Sequence, residues 1–556
     1  MTATVERRPP ETVMTLARMG SFHQSRLSFM RTLLRRMKAE RWTFDRPCFD
    51  IDEAGVGMAL YSATTAERTY TLVAFAHDLP DEMRSDRVIA TQWDTTFTLH
   101  DGVPSEADIE RLRANVPLQE AGRISESELT LSRANRSTRL FSYVVEELAA
   151  GRQPDAAAID GVGYLMRTTA VYGSGKFGAA DRAVIADRSE FEAPFQVEML
   201  TVYLIRAFVL DLVEHMASLA SDHAVPLEPA VRRRFGIGNS TGLGMAPFLL
   251  THPRLINNWI AAREEALARV RSIERATTDE IDCFGSHLQR VRHTLAAWHT
   301  NHPIQLQKIG ELSTDLDRLD VYVEATDLSQ RSPWDALATW SGEALSLEGQ
   351  ELVVSLLLEP YGHLVDELTA TMHADESTPI TIDGSLTITE MQTRIEQQYR
   401  WALGIDWSSS SADARAWYVS QEKLEPRLGE RHLEPITEFE QPLQPGRDAV
   451  RMLDDLRRWP DHATLATFLR SHPEHRHTAR RTLLLAHAPY GEICDNTIDA
   501  AMLPIDLLRA KLSFFGATHF DPRSDRWVRI TMYQGAPFPH ELADADPDSW
   551  TYSVAC

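Results

Sequence analysis

Two glycine clusters hold the residues best suited to chemistry on an anion. The first, Gly173-Ser174-Gly175-Lys176-Phe177-Gly178, breaks the short β-favouring run YLMRTTAVY (164–172) and is followed by Arg182. The second opens at Arg234, contains Gly236, Gly238, Asn239, Ser240, Thr241, Gly242 and Gly244, and follows Arg232 and Arg233. Glycines packed this densely let backbone N–H groups converge on a negative group, because no side chain blocks the approach. Lys176, Arg182 and Arg234 would neutralise the charge held there. The spacing therefore predicts a small anionic ligand bound by two glycine-rich loops.

Gly173-x-Gly175-x-x-Gly178 also satisfies the dinucleotide fingerprint, with Glu190 and Glu192 near the distance at which that fingerprint places its ribose-binding acid. Against it, Arg167 and two threonines interrupt the preceding run, Pro194 stops the following one, and no strand–helix–strand alternation surrounds it. A glycine turn with only a structural role fits the same residues. A P-loop does not, since it requires glycine where Ala170 stands and Ser or Thr where Phe177 stands. The second cluster reads as a loop entering a helix near Ala246-Pro247, where phosphate or carboxylate could sit at the helix N-terminus. Its alternative is a tight crossing of two helices. A nucleotide or dinucleotide cofactor is thus one candidate, and a phosphorylated or carboxylated metabolite another.

Other constellations are weaker. His519-Phe520-Asp521 places imidazole and carboxylate two apart in a β-like run, hence on one face, where the acid could orient the ring for proton transfer; a capped turn at Asp521-Pro522 is the plainer reading. In His472-Pro473-Glu474-His475-Arg476-His477, the i, i+2 pair His475 and His477 would diverge on a helix, so no metal site is predicted. Glu422, Lys423, Glu425 and Arg427 lie among aromatics and read as a solvated, ion-paired turn. No G-x-S-x-G elbow offers a serine nucleophile, and no C-x-x-C pair occurs among the four cysteines. The catalytic residues stay unassigned.

The elements that must position these groups read as an α+β, predominantly helical chain. Residues 1–150 form an α+β N-terminal region with a small antiparallel sheet between about 41 and 100. Residues 151–345 form a central helical domain carrying both glycine-rich loops. Within it, Ile281, Phe284, Leu288, Val291, Leu295 and Trp298 recur at steps of three and four, and Ile309, Leu312, Leu316 and Leu319 continue the rhythm as a helical hairpin. Residues 346–440 form an α+β segment in which Asp383-Gly384 turns a short hairpin. Residues 441–556 form a helical C-terminal unit ending in short strands.

Acidic residues outnumber basic ones, 80 to 57, giving a formal charge of −23. Such a surface repels phosphate backbones and anionic lipid, so neither nucleic acid nor membrane is an expected partner. The longest apolar run (199–213) is interrupted by Arg206 and Asp211, and the N-terminus lacks a secretory pattern, so a cytoplasmic location is expected. Self-association through the helical region is a further expectation. The sequence supports an anion-binding enzyme of unknown reaction; a helical protein-binding scaffold and a metabolite sensor stand as alternatives.

Overall fold

The computed structural model describes residues 5–19, 22–80, 82, 92–118, 124–169, 185–242, 252–374, 381–408, 417–419, 426–428, 445–494, 509–524 and 527–552. Among them no helix is long and apolar enough to cross a membrane. The strands are β1 (Thr43–Ile51), β2 (Gly57–Thr64), β3 (Thr69–Ala76), β4 (Thr95–Asp101), β5 (Glu128–Arg136), β6 (Tyr164–Thr169), β7 (Gly236–Gly242), β8 (Trp417–Val419), β9 (Pro426–Leu428), β10 (His519–Ser524) and β11 (Trp527–Met532). Apart from the small β8–β9 pair, they form one nine-stranded sheet in the order β1-β2-β3-β4-β5-β6-β7-β11-β10. Neighbours pair antiparallel except β6 and β7, which run parallel.

Parallel neighbours need a crossover, and the chain between β6 and β7 contains the 25-residue helix Gln196–Ala220. This helix crosses the core face of the sheet, touching β2, β3, β5, β6 and β7. It is buried on nearly all sides as far as Leu210, which explains its density of Val, Leu, Ile and Phe. The one cation inside that stretch, Arg206, donates to the carbonyls of Phe235 (2.7 Å) and Ala536 (2.8 Å) and lies 3.8 Å from the Phe538 ring centroid. On the opposite face the Glu106–Asn115 helix sets Leu112 against Leu60, Val73, Phe75 and Leu131.

The strand–helix–strand unit and the strand β7 correct the expectations for this region. The second glycine cluster, expected as a loop, is sheet from Gly236 to Gly242. One sheet also draws strands from three of the four expected segments, so the boundaries at 150, 345 and 440 cut across it. A separate apolar core joins Ile388, Met391 and Ile395 to Met452, Leu453, Leu465 and Phe468, so the expected C-terminal unit divides between two cores. Among the described residues Asp383-Gly384 makes a turn, and the stretch after it, expected as a second strand, instead starts the Ile388–Gln398 helix through a capping box of Thr387 and Glu390.

Much of the helical stripe lies on two helices as its spacing predicts, whereas Trp298 falls two residues past the end of the first and Ile281 and Ile309 are only partly buried. A capping box of Thr277 and Glu280 starts the Thr278–Ala296 helix, which buries Phe284, Leu288, Val291 and Leu295; the Pro303–Ala325 helix buries Leu312, Leu316 and Leu319. Nearby, the Leu347–Leu358 helix carries Glu348 and Glu351 into the interior, with Glu359 just beyond. Each is met by arginine: Glu348 by Arg509, Glu351 by Arg8, Arg18 and Arg263, and Glu359 by Arg31.

Candidate functional site

The end of the sheet around β6, β7, β11 and β10 bears a cavity of about 440 Å³ that gathers chemistry-bearing side chains. β10 and β11 form a hairpin whose register sets His519 opposite Thr531 and Asp521 opposite Arg529. β7 lies on the other side of β11, with Gly238 opposite Thr531, and β6 continues the row through Arg167 opposite Gly238. Asn135 on β5 completes it. Residues opposite each other in a sheet present side chains to one face, so Asn135, Arg167, Thr531 and His519 share a cross-strand row. The Asp521–Arg529 pair stands two residues further along.

His519 and Asp521 both line the cavity, as do Thr531 and Gln534 from β11 and the turn after it. Trp298 and His299 enter just past the end of the Thr278–Ala296 helix. The indole of Trp298 stacks on His519 with ring centroids 4.8 Å apart, and Phe22 packs against the same indole at 4.3 Å. Trp298 Nε1 is buried and, among the described residues, has no hydrogen-bond partner.

Burial pushes the His519 imidazole below its ordinary pKa of 6.5; the Asp521 carboxylate pulls it up and His299 pushes it down. The net effect is a neutral ring at pH 7, with a nitrogen lone pair available to accept a proton. Together the cavity supplies a base, a carboxylate beside it, an aromatic wall and hydroxyl and amide groups that can orient a polar ligand. Sequence spacing placed His519 and Asp521 on one face, but it gave no sign of Trp298 or His299, which arrive from a helix more than 200 positions away.

The remaining expected site residues fare differently. Gly173, Ser174, Gly175, Lys176, Gly178 and Arg182 lie outside the described residues, as does Gly244. Arg234 is paired with Asp160 at 2.9 Å, so its charge is already met by a carboxylate on the cavity rim. Gly236 and Gly238 sit where a side chain could not. A Cβ at Gly236 would lie 2.4 Å from the Met532 carbonyl oxygen, and one at Gly238 would lie 2.6 Å from the Tyr164 ring. At these two positions glycine lets strand and ring approach. Asn239 is buried and donates to the Thr168 carbonyl at 3.2 Å. Ser240, Thr241 and Gly242 complete β7 beside β11.

The parallel pairing nevertheless relates the two clusters. Thr168 lies opposite Asn239, so Thr169, the last strand residue before the first cluster, and Gly242, the last before Gly244, end neighbouring strands that point the same way. Such strand ends are where open sheets with parallel strands bind ligands. Half-buried Arg133 and Arg529 and buried Arg167 belong to the strands beside this end. Burial lowers the Arg133 pKa to about 10, and its guanidinium lies 4.0 Å from the Trp93 ring centroid. No protein-family model, curated protein or solved structure matches the chain.

Proposed function

We propose that this chain is a cytoplasmic enzyme that binds a small anionic metabolite or nucleotide-like cofactor along β6, β7, β11 and β10, with His519 as its proton acceptor. The carrying observation is the juxtaposition of His519, Asp521 and Arg529 on one hairpin, in and beside a cavity walled by Trp298. Arg529 supplies positive charge to the ligand, and Asp521 orients the imidazole. Four residue steps along β7 lead from the Gly238 row to Gly242, about 13 Å at the usual strand rise. A nucleotide-like molecule bridges that length, with its reacting end beside His519 and its anionic end at the two strand termini. There Lys176, Arg182 and the glycines of 173–178 are the candidate anion contacts. Thermal-shift measurement against nucleotides, sugar phosphates and carboxylates tests this: a stabilising ligand is expected, and Lys176→Ala should weaken it severalfold with folding intact. No stabilising ligand in such a panel, or equal affinity in the variant, would remove the reading.

A metabolite sensor is the second reading, favoured by a different cavity of about 720 Å³ between the two apolar cores. Arg254 and Asn258 face it from the main body, and Arg394 and His487 from the smaller helical unit. A ligand there would clamp the two together, which ligand-dependent protease protection near residues 434–448 would reveal.

A further inference from the structure

We infer that Asp455, His472 and His475 form a binding site for a single transition-metal ion of the zinc type. Asp455 comes from one helix of the smaller helical unit, and His472 and His475 from the single short turn that joins two others. Asp455 lies near the end of the Pro445–Leu456 helix, His472 caps the Leu465–Ser471 helix, and His475 precedes the Arg476–Leu485 helix. One ligand atom from each lies within 4.8 Å of the others. His475 Nε2 already sits 2.9 Å from Asp455 Oδ2. Tetrahedral zinc with ligands at about 2.0–2.1 Å holds its donor atoms about 3.3 Å apart, so small side-chain rotations close the set.

Two imidazoles and one carboxylate are the borderline donor set that favours Zn(II), Co(II) and Ni(II) over Ca(II) or Mg(II). The surroundings fix the rings as ligand-bearing histidines are usually fixed. Phe468 stacks on His472 (4.8 Å) and on His475 (5.7 Å), Glu474 contacts His472 Nδ1 at 3.2 Å, and Trp459 Nε1 donates to His472 Nε2 at 3.4 Å. Arg458 holds the other carboxylate oxygen of Asp455 at 2.9 Å. Metal entry replaces the His475–Asp455 hydrogen bond and displaces one of the two partners of His472. Half-exposed Asp455 and His472 leave a path for the ion and a fourth position for water. Sequence spacing missed this set because its third member, Asp455, lies 17 positions before His472.

Calorimetric titration of the full chain with Zn(II), after chelator treatment, tests the site. One ion per chain is expected, with affinity falling at least tenfold in His472→Ala and in Asp455→Asn. Co(II) should give the intense visible absorption of a tetrahedral site, lost in the same variants. His472 is partly exposed, so that variant should keep its melting temperature in chelator, separating lost ligation from lost folding. No binding by the wild-type chain, or undiminished binding in both variants, would overturn the assignment.

Discussion

Trp298 lies against His519 with 4.8 Å between ring centroids and 30° between ring planes. The indole shields one face of the imidazole from water, while the Asp521 carboxylate, two residues along the same strand, pulls its pKa up. We predict that His519, followed by NMR in histidine-labelled protein, titrates below 6.5. Asp521→Asn should lower that midpoint further, and Trp298→Leu should raise it by rehydrating the ring. A wild-type midpoint at or above 6.5 would leave the neutral-base assignment without support.

His23 is buried among Glu348, Glu351, Glu359 and Arg509, and burial holds its pKa down to about 4. The unfolded chain takes up this proton near 6.5, the folded chain only near 4, so between those values the unfolded state binds more protons. Stability therefore falls as pH drops through this window, by about 3 kcal/mol from this residue alone. Urea midpoints at pH 7 and pH 4.5 should move closer together in His23→Gln than in the wild type. An unchanged gap would contradict the assignment.

Arg31 and Glu359 are both fully buried and joined by two hydrogen bonds of 2.7 Å. Burial alone would push the Glu359 carboxyl up, yet the Arg31 guanidinium holds it below its ordinary value. Glu359→Ala removes two of the three carboxylate hydrogen bonds of buried Arg31, leaving only Asp548 at 2.8 Å, and should cost about 3 kcal/mol. The double variant Arg31→Met with Glu359→Leu should recover much of that loss in denaturant melts. A double variant as unstable as the single one would refute the pairing argument.

Gly238 faces the Tyr164 ring so closely that an added methyl group would overlap it. Gly238→Ala should destabilise the protein by about 1–3 kcal/mol, and Tyr164→Leu should relieve the clash in a double-mutant cycle. Additive losses would mean that the glycine is required for some other reason.

What the sequence makes legible is local. The steps of three and four through Phe284, Leu288, Val291 and Leu295 identify a buried helix face, and the alternation at His519 and Asp521 identifies a shared strand face. β7 was hidden, because among its seven residues only Ile237 has an apolar side chain of the strand-forming kind. Its conformation is imposed by β6 about 70 positions earlier and β11 about 290 positions later. The crossover through Gln196–Ala220 was invisible for the same reason: without β7 there is no second strand to complete it. Trp298, His299 and Asp455 likewise reach their sites through tertiary packing, for which spacing along the chain carries no signal.

The proposed anion site depends on Arg529, which lies opposite Asp521 on the hairpin that carries His519. Calorimetric binding of the anion that most raises the melting temperature, compared between wild type and Arg529→Ala, tests it most directly. At least tenfold weaker binding is expected in the variant, with its folding intact. Equal affinity in the two proteins would contradict it.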